Sequence, residues 1–392
     1  MQIRQRMRLR ASIVTLTLVS ALVCGGAGAL LGTCGPFTDV AADAFCPFVL
    51  EIFYLGITTG TSPTTYDPTS NVSRLQMAAF LSRTVDGALK RGSRRAALDQ
   101  FWTAQNATVL GLTTVGSSPS LLASDGADIW VANQGSNTVS RVRAADGKLL
   151  ETWTGAINAF GVLVAMGRVI VSAGQNPGNL YVIDPSQPAG AVATVASNLG
   201  DTPLGIAFDG SRVWTANEGG SVSIVTPGTA PWTVTTITTG FNSPFGVLYD
   251  SANVWVTDNG ANTLLKLNSA GSIVQTVTVG SFPQYPVFDG SNIWVPNQNS
   301  NSVAVVRLLS GAVLQTLTGN GLNLPQAAAF DGQRILVPNI TGNSVSLWKA
   351  ADLTPLGTFS TGASTAPFGV CSDGINFWIT LTGGGVNRLA RF

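Results

Sequence analysis

The phrase Asp289-Gly290-Ser291-Asn292-Ile293-Trp294-Val295-Pro296-Asn297 decides the fold, because variants of it fill the last two-thirds of the sequence. Some of the other copies are degenerate, but each has a Trp or an aliphatic residue at the position of Trp294. These residues are Trp130, Ile170, Trp214, Trp255, Leu336 and Trp378. The spacing is near 40 residues, and such a period built of short strands is typical of the blades of a β-propeller.

Each repeat divides into four segments with strand character. In the fourth repeat these are 245–249, 253–257, 263–267 and 273–279, which are rich in Val, Ile, Leu, Thr and Trp. Asp-Gly or Asp-Ser joins the first two segments, and an Asn-rich turn joins the second and third. These residues tolerate the left-handed backbone of tight hairpins. The repeat therefore predicts four-stranded antiparallel blades.

The two ends of the repeat region complement each other. The seventh repeat has three strand segments before Phe392, and a segment that resembles a fourth strand, 108–116, stands before the first repeat. Pairing these ends would close the ring and remove an exposed sheet edge. We therefore predict an all-β, seven-bladed propeller over 107–392 with a split closing blade.

The repeat text resembles the YVTN/NHL-type propellers, and most closely their virginiamycin B lyase-like branch. The resemblance rests on Ile-Trp-Val-Ala-Asn-Gln-Gly-Ser-Asn-Thr-Val at 129–139 and Val-Trp-Val-Thr-Asp-Asn-Gly-Ala-Asn-Thr-Leu at 254–264. Lyases of this branch work with a metal, histidine and glutamate, whereas this chain contains no histidine. The resemblance therefore implies the fold, and the catalytic residues of the branch cannot be carried over.

The missing histidine excludes a Ser-His-Asp triad, a Cys-His pair and a His-ligated metal. One group of polar residues remains as a candidate site, at the ends of the second strands of five blades. It consists of Asn133, Asn217, Asp258, Asn297 and Asn339. These residues could ring one propeller face and bind a polar ligand or calcium, which prefers oxygen ligands. The alternative is local turn chemistry, in which they satisfy nearby backbone groups.

Two other repeated residue types have both a structural and a functional interpretation. Turn chemistry is favoured for the aspartates that open the repeats, Asp125, Asp209, Asp250, Asp289, Asp331 and Asp373. The repeated tryptophans could be sugar-stacking platforms, but a blade is covered on both faces by its neighbours. Core packing between blades is therefore the favoured interpretation for the tryptophans.

The first residues have the layout of a secretory leader. Four arginines between Arg4 and Arg10 precede the apolar run 11–23 and the small residues Ala27-Gly28-Ala29. The run is shorter than the roughly 20 residues that span a membrane, which favours a cleaved signal peptide over 1–29 and no membrane span afterwards. Cleavage would leave 17 basic and 20 acidic residues, so the bulk charge does not indicate nucleic acid.

A small module is predicted over 35–90, followed by a linker over 91–106. Helical spacing of apolar residues predicts a first helix over 45–55 and, after the turn Tyr66-Asp67-Pro68, a second helix capped by Asn71 or Ser73. The predicted apolar faces are Phe45, Val49, Ile52 and Phe53 in the first helix, and Leu75, Met77 to Phe80 and Leu81 in the second.

The motifs of this stretch resemble, in their order, a surface-layer homology module. They are Phe-Thr-Asp-Val at 37–40, Gly-Ile-Thr-Thr-Gly at 56–60, Tyr-Asp-Pro at 66–68 and Ser-Arg-Leu-Gln at 73–76. The resemblance implies non-covalent attachment to wall polysaccharide or peptidoglycan, with Arg74 and Asp39 as candidate glycan-binding residues. A guanidinium group can pair with a carboxylate or ketal group of such a glycan.

The module departs from the family pattern in two ways. Gln76 replaces the glutamate of the family's Thr-Arg-Ala-Glu motif, and the sequence contains one copy where strongly anchored members carry three. The alternative interpretation of Arg74 is a solvated residue at the start of a helix. In the exported context, Cys34 and Cys46 are predicted to form a disulfide, and Cys371 is interpreted as a buried thiol that packs as a small hydrophobe.

Two functional hypotheses follow from these observations. The favoured one is an exported, non-catalytic propeller that is held at the cell envelope by its module and binds a glycan, peptide or protein on one face. The alternative is a metal-dependent lyase or hydrolase, in which carboxylates and amides such as Asn133, Asp258 and Asn297 hold calcium or magnesium. No cofactor is predicted under the first hypothesis.

Overall fold

The computed structural model describes residues 34–40, 44–54, 57–81, 84 and 111–392. The chain divides into two compact units, Met1–Thr103 and Ala104–Phe392. The predicted signal peptide over 1–29 and the predicted linker over 91–106 lie outside the described residues. No helix among the described residues is long and apolar enough to cross a membrane.

The N-terminal unit contains a small apolar core. Helix α1 (Cys46–Tyr54) contributes Val49 to a cluster with Phe37, and the ring of Phe37 meets that of Phe53 edge-on at 5.1 Å. Cys34 and Cys46 lie in the same cluster and form a disulfide. Phe45, predicted to face the core, is 67% exposed, because α1 begins one residue later and leaves its side chain outside the packed face.

A second helical segment follows Ser73. The Gln76 N–H donates to the Ser73 hydroxyl at 3.2 Å, and the Ser73 N–H donates to the Gln76 side-chain oxygen at 2.8 Å. This reciprocal pair is a capping box, so Ser73 caps the segment. The predicted inner face was wrong, since Leu75 is 85% and Leu81 59% exposed. Helical spacing identifies an apolar face but does not supply the surface that would cover it.

The second unit consists of seven four-stranded antiparallel sheets. In each sheet the first strand lies at the axis and the fourth strand lies at the outer edge. The strands of blade one are β2 (Pro119–Ser124), β3 (Asp128–Asn133), β4 (Thr138–Arg143) and β5 (Leu149–Thr154). Those of blade two are β6 (Ala159–Ala165), β7 (Arg168–Ala173), β8 (Gly178–Ile183) and β9 (Ala193–Leu199). Those of blade three are β10 (Pro203–Phe208), β11 (Val213–Asn217), β12 (Ser221–Thr226) and β13 (Thr233–Ile237).

Blades four to six repeat the same order. The strands of blade four are β14 (Pro244–Tyr249), β15 (Val254–Asp258), β16 (Thr263–Leu267) and β17 (Ile273–Thr278). Those of blade five are β18 (Val287–Phe288), β19 (Asn292–Asn297), β20 (Ser302–Arg307) and β21 (Val313–Thr318). Those of blade six are β22 (Ala329–Phe330), β23 (Arg334–Asn339), β24 (Ser344–Lys349) and β25 (Pro355–Ser360).

Blade seven joins the two ends of the propeller region. Its first three strands are β26 (Pro367–Ser372), β27 (Phe377–Leu381) and β28 (Arg388–Arg391), with a short 3-10 turn at Gly383–Gly385. Its outer strand is β1 (Gly111–Thr114), which pairs antiparallel with β28 so that Gly111 lies opposite Arg391. The predicted seven-bladed architecture and its split closing blade are therefore confirmed.

The repeated tryptophans form the core between blades. Trp130 of blade one packs on Val169 and Val171 of blade two, and Trp255 packs on Ile293 and Val295 of blade five in the same way. Each of the tryptophans at this position is less than 2% exposed. They are Trp130, Trp214, Trp255, Trp294 and Trp378. The core interpretation is confirmed, and the hydrophobic effect drives each blade against the next.

In five blades, the aspartate that opens the repeat binds both the turn and the tryptophan. One carboxylate oxygen of Asp289 accepts the N–H groups of Ser291 and Asn292, and the other accepts the indole N–H of Trp294 at 2.7 Å. Blade six lacks the tryptophan, and there Arg334 Nε donates to Asp331 at 2.9 Å instead. The turn-chemistry interpretation of these aspartates is confirmed.

Close contact between inner strands completes the ring. The Gly246 N–H donates to the Thr257 hydroxyl at 2.8 Å, and this hydroxyl donates to the Gln284 carbonyl of the next blade at 2.9 Å. A side chain at Gly246 would collide with Gln284 and Tyr285. Equivalent relays run from Gly161 through Ser172 to Leu204, and from Gly369 through Thr380 to Ser120. The glycines are required because neighbouring backbones touch here.

The last asparagine of the hairpin between the second and third strands fastens a blade to its neighbour. Asn301 has a positive φ of 47°, and its side-chain oxygen accepts the Leu324 N–H of the next blade at 2.7 Å. The same contact is made by Asn137, Asn262, Asn343 and Asn387. Asparagine suits this position because it tolerates the left-handed region better than other residues with a Cβ.

We expect Asn301→Ala to destabilise the propeller by about 1–2 kcal/mol. The variant loses an inter-blade hydrogen bond, and alanine tolerates the left-handed backbone region less well than asparagine. Urea unfolding followed by tryptophan fluorescence measures the change. Asn299→Ala, an exposed position in the same hairpin, is the control and should be neutral. Equal effects of the two substitutions would contradict a role of the Asn301 side chain in joining the two blades.

The Asp turns also predict a pH dependence. Burial by itself would raise the pKa of Asp209, but the N–H groups of Trp214, Arg212 and Ser211 lower it to about 2. Because this pKa is lower in the folded than in the unfolded chain, the carboxylate stabilises the fold above its ordinary pKa of 3.8, and the stabilisation is lost as the pH falls through 2. Thermal unfolding midpoints between about pH 4 and pH 2 should fall less steeply in Asp209→Asn. An unchanged slope in that variant would contradict the assignment.

Candidate functional site

Hydrogen bonds between loops define two chemically different faces of the propeller. On one face, the hairpins between second and third strands bond to the connections that enter each first strand, as when the Gln134 N–H donates to the Ser118 carbonyl at 3.0 Å. We call this the Asn-hairpin face. On the other, the Asp turns bond to the connections between third and fourth strands, as when the Ala144 N–H donates to the Ala127 carbonyl at 2.9 Å. We call this the Asp-turn face.

The five residues proposed as a ring end their strands beneath the Asn-hairpin face. Asn133, Asn217, Asp258, Asn297 and Asn339 are each at most 1% exposed. The Asn217 side-chain nitrogen donates to Ser221 at 3.1 Å and Ser223 at 2.9 Å, and Asn133, Asn297 and Asn339 make similar bonds to hydroxyls of their own third strands. The asparagines are therefore held within their own blades.

Asp258 is satisfied by backbone groups. Its carboxylate accepts the N–H groups of Asn242 at 2.8 Å, Ser243 at 3.0 Å and Ala261 at 3.1 Å. These bonds fix the connection that leads into Phe245, which lies at the axis. Among the described residues, no group of three or more His, Cys, Asp or Glu side chains is placed to hold a metal ion.

The axis of the propeller is closed by an apolar cluster near the Asn-hairpin face. The rings of Phe160, Phe245 and Phe368 surround Tyr285, with centroid distances from the tyrosine of 6.2, 5.1 and 6.2 Å. These four residues belong to blades two, four, seven and five, so they meet only at the axis. Phe160, Phe245 and Phe368 are half-buried, and Leu204 of blade three completes the cluster. The cluster is an aromatic floor beneath the loops.

Three polar side chains are buried without any hydrogen-bond partner within the described part of the propeller, those of Tyr285, Asn259 and Thr263. The phenol oxygen of Tyr285, in a residue 7% exposed, makes no hydrogen bond in the described structure. Neither the nitrogen nor the oxygen of the Asn259 side chain does so, and Asn259 is 2% exposed. Buried polar groups are almost always paired, and the side-chain oxygens of Asn133 and Asn297 also lack donors. Water or a ligand at these positions would complete the bonding.

The loops of the Asn-hairpin face carry few charges, and Arg388, at the start of β28, adds a positive charge at this end of blade seven. The connections of the Asn-hairpin face contain no Lys or Arg, and their only charged residues are Asp201 and Glu218 of blade three. Burial raises the pKa of the Tyr285 phenol, and the negative charge of Glu218 raises it further. Lys148, Arg212 and most other charged residues lie towards the Asp-turn face.

A rim of strained residues surrounds the aromatic floor. Six of the residues that precede a first strand have positive φ values between 43° and 61° although they are not glycine. They are Ser118, Asn158, Thr202, Phe282, Leu324 and Ala366. Strained backbone of this kind is held in place by its surroundings and is concentrated at functional sites. Here each carbonyl is turned to accept an N–H from the adjoining hairpin, as Phe282 does from Gln298 at 3.0 Å.

The structure places the other predicted site residues in the N-terminal unit. Arg74 is exposed at the start of the second helical segment, and no described residue accepts a hydrogen bond from it. The Asp39 carboxylate accepts the N–H groups of Tyr66 at 3.0 Å and Asp67 at 2.7 Å, which lower its pKa. Asp39 thus ties the start of the module to its Tyr-Asp-Pro turn. In the propeller, Cys371 is half-buried, and burial raises the pKa of its thiol.

Comparison with known proteins agrees with this description. Residues 36–78 match the S-layer homology domain model. A streptogramin B lyase is 15% identical, with a TM-score of 0.60 over 72% of this chain and 96% of that chain. A virginiamycin B lyase from Staphylococcus aureus is 16% identical, with a TM-score of 0.60 over 72% of this chain and 99% of that chain. The Kuenenia stuttgartiensis hydrazine synthase is 17% identical, with a TM-score of 0.60 over 74% of this chain and 99% of that chain. No curated protein sequence matches the chain.

These matches define the class of protein. The chain carries an S-layer homology domain followed by a seven-bladed propeller whose fold is similar to that of virginiamycin B lyase. At these identities the propeller likeness shows the fold alone. The S-layer homology domain indicates localisation at the cell surface, and such domains typically bind cell-wall glycans.

The axial residues were missed in the sequence analysis. A signal for them exists, because Pro-Phe-Gly at 244–246 and 367–369, Pro-Leu-Gly at 203–205 and Ala-Phe-Gly at 159–161 recur at the start of first strands. The central residue of each faces the axis and the glycine permits the close inter-blade contact. Asn259 and Glu218 have no such signal, since only the folded loops bring them to this face.

We expect Tyr285→Phe to leave the free energy of unfolding unchanged within about 0.5 kcal/mol, or to raise it, because the hydroxyl that it removes is buried without a partner. Tyr181→Phe is the matched control, since the Tyr181 hydroxyl accepts a bond from Asn179 at 3.2 Å, and it should cost about 1 kcal/mol. Urea unfolding measures both. A loss above about 1 kcal/mol in Tyr285→Phe would show that the phenol is bonded in the fold.

Proposed function

We propose that this protein is a surface-anchored binding protein. Its S-layer homology domain attaches the chain to wall polysaccharide or peptidoglycan, and its non-catalytic propeller captures a ligand on the Asn-hairpin face. The single observation that carries the anchoring is the match of residues 36–78 to a domain that typically binds wall glycans. Arg74, exposed and unbonded within the described module, is the proposed contact for an acidic group of the glycan.

The capping box supports this assignment despite the altered motif. Gln76 occupies the position of the family's glutamate and still closes the helix start through Ser73. The backbone around Arg74 is therefore fixed without a carboxylate that would compete for its guanidinium group. Asp39 contributes by holding the Tyr66-Asp67 turn, so we propose that its effect on glycan binding is through the shape of the module.

A binding role for the propeller is supported by the residues that it has and lacks. The chain has no histidine, and the acidic side chain of the proposed ring, Asp258, is satisfied by three backbone N–H groups. No group of three or more His, Cys, Asp or Glu side chains within the described residues is placed to hold the metal ion of the alternative lyase or hydrolase. The apolar floor of Phe160, Phe245 and Phe368 around the unpartnered phenol of Tyr285 supports this binding role, because ligand sites are mostly apolar surfaces with a few polar groups.

Sedimentation with purified cell walls tests the anchoring. We expect the full chain to co-sediment, and Arg74→Ala to weaken binding at least about tenfold, because bonds from a guanidinium to an anionic group contribute about 1.5–3 kcal/mol. Arg74→Lys should bind at an intermediate level, since it keeps the charge but loses the bidentate geometry. Arg143→Ala is the control, as this exposed arginine lies in the propeller.

The outcome separates the possibilities clearly. Binding to walls but not to peptidoglycan stripped of its secondary polymer identifies the polysaccharide as the partner, and equal binding to both identifies peptidoglycan. If the unmodified chain stays in solution with both materials, the proposed anchoring is wrong. If Arg74→Ala and the control Arg143→Ala both sediment as well as the unmodified chain, anchoring does not use Arg74.

A further inference from the structure

A cavity of about 150 Å³ lies between blades three and four at the Asp-turn face. Blade three contributes Asp209 and Arg212 to its lining, and blade four contributes Tyr249, Asn253 and Ser269. Arg212, Tyr249 and Asn253 are half-buried and Ser269 is exposed, so the cavity is open to solvent. A volume of about 150 Å³ holds one six-membered ring, so a single ring-sized group can enter.

The sequence departs from the repeat at this junction. Five other blades have glycine after the turn aspartate, whereas blade four has Ser251, which takes a positive φ of 79°. Tyr249 precedes the same aspartate, and the other blades have Ser, Ala or Phe at its position. Strained backbone is concentrated at functional sites, and here it adjoins a hydroxyl that the other blades lack.

Three polar side chains that line the cavity have no hydrogen-bond partner among the described residues. They are the phenol of Tyr249, the amide of Asn253 and the hydroxyl of Ser269. In blade five the asparagine equivalent to Asn253 donates to its turn aspartate, as Asn292 Nδ2 does to Asp289 at 3.4 Å. Asn253 makes no such bond, so its amide is left for a ligand. Each of the three groups can both donate and accept a hydrogen bond.

The charges at the cavity are already paired. Arg212 Nε donates to the Asp209 carboxylate at 3.0 Å, and Arg212 Nη2 lies 2.8 Å from the same oxygen. The other oxygen of Asp209 accepts the N–H groups of Ser211 and Arg212. The formal charges of Arg212 and Asp209 cancel, so neither a cation nor an anion is favoured. Arg212 Nη1 has no acceptor among the described residues and is a further donor.

A ring that carries several hydroxyl groups matches this set, because each hydroxyl also donates and accepts. The ring of Tyr249, which packs against the core between blades three and four, provides apolar surface for the carbon atoms of such a ligand. From these features we infer that the cavity between blades three and four binds one neutral sugar residue in its ring form. This site is additional to the proposed function, and it depends neither on the Asn-hairpin face nor on the anchoring.

Titration of the intact chain, followed by calorimetry, tests the inference. The probes are the methyl glycosides of glucose, mannose, galactose and N-acetylglucosamine, and we expect saturable binding of at least one. Cyclohexylmethanol has a ring of the same size without the set of hydroxyls, and it should bind at least about tenfold more weakly. Methyl glucuronide, which carries a carboxylate, should bind no more tightly than methyl glucoside.

Two substitutions assign the residues. Tyr249→Phe and Asn253→Ala should each weaken binding about two- to tenfold, because each removes one hydrogen bond to the sugar. Neither side chain is bonded to another described residue, so thermal unfolding midpoints should be unchanged. Asn299→Ala is the matched control, since Asn299 is exposed in a hairpin of the other face, and it should bind like the unmodified chain.

A double variant separates this site from the N-terminal domain, which is itself proposed to hold a glycan. We expect Tyr249→Phe combined with Asn253→Ala to weaken sugar binding by about tenfold or more, and Arg74→Ala to leave it unchanged. The reverse pattern would place the sugar in the N-terminal domain and overturn the inference. A chain that binds sugars in this way but does not sediment with walls refutes the anchoring alone.

Other results would also overturn the inference. They are no saturable binding of any of the four glycosides by the folded chain, binding of cyclohexylmethanol as tight as that of the best glycoside, and tighter binding of methyl glucuronide than of methyl glucoside. Unchanged affinity in the folded double variant would do the same. Far-ultraviolet circular dichroism shows whether each variant keeps its fold.

Discussion

The contact on which this structure depends is the close approach of neighbouring inner strands around the axis. At Gly246 a Cβ would collide with the backbone of the next blade, and Thr257 carries a hydrogen bond from one blade to the next in the same place. The repeated tryptophans can be fully buried because the blades are drawn together in this way. Once seven blades close, β1 must complete the last of them, since an unpaired strand edge would otherwise remain.

The same repeat produces two faces with different chemistry. At the Asp-turn face the carboxylates are used within the turn, because backbone N–H groups and the indole N–H of a tryptophan occupy both oxygens. At the Asn-hairpin face the asparagines fasten one blade to the next and carry no charge. The connections of this second face therefore contain two charged residues, Asp201 and Glu218.

The two units serve different ends of one function at the cell surface. In the N-terminal module the disulfide and the Asp39 contacts fix a small core, and the capping box holds the helix start that presents Arg74. In the propeller, positive-φ residues such as Phe282 and Leu324 hold rigid loops around an aromatic floor. A rigid rim lowers the entropy cost of ordering a site when a ligand binds.

The sequence alone determined the blade number, the strand boundaries of the fourth repeat to within about one residue, the split closing blade and the turn role of Asp289. Each is a local pattern repeated with a fixed period. It also determined the resemblance of the module through short ordered motifs. Only the tertiary structure decided that Asn297 is buried in its own blade, that Leu75 is exposed, and that Tyr285 is surrounded by phenylalanines from three other blades. The reason is that a repeat fixes what each blade is, while the surroundings of a side chain at the axis depend on several blades at once.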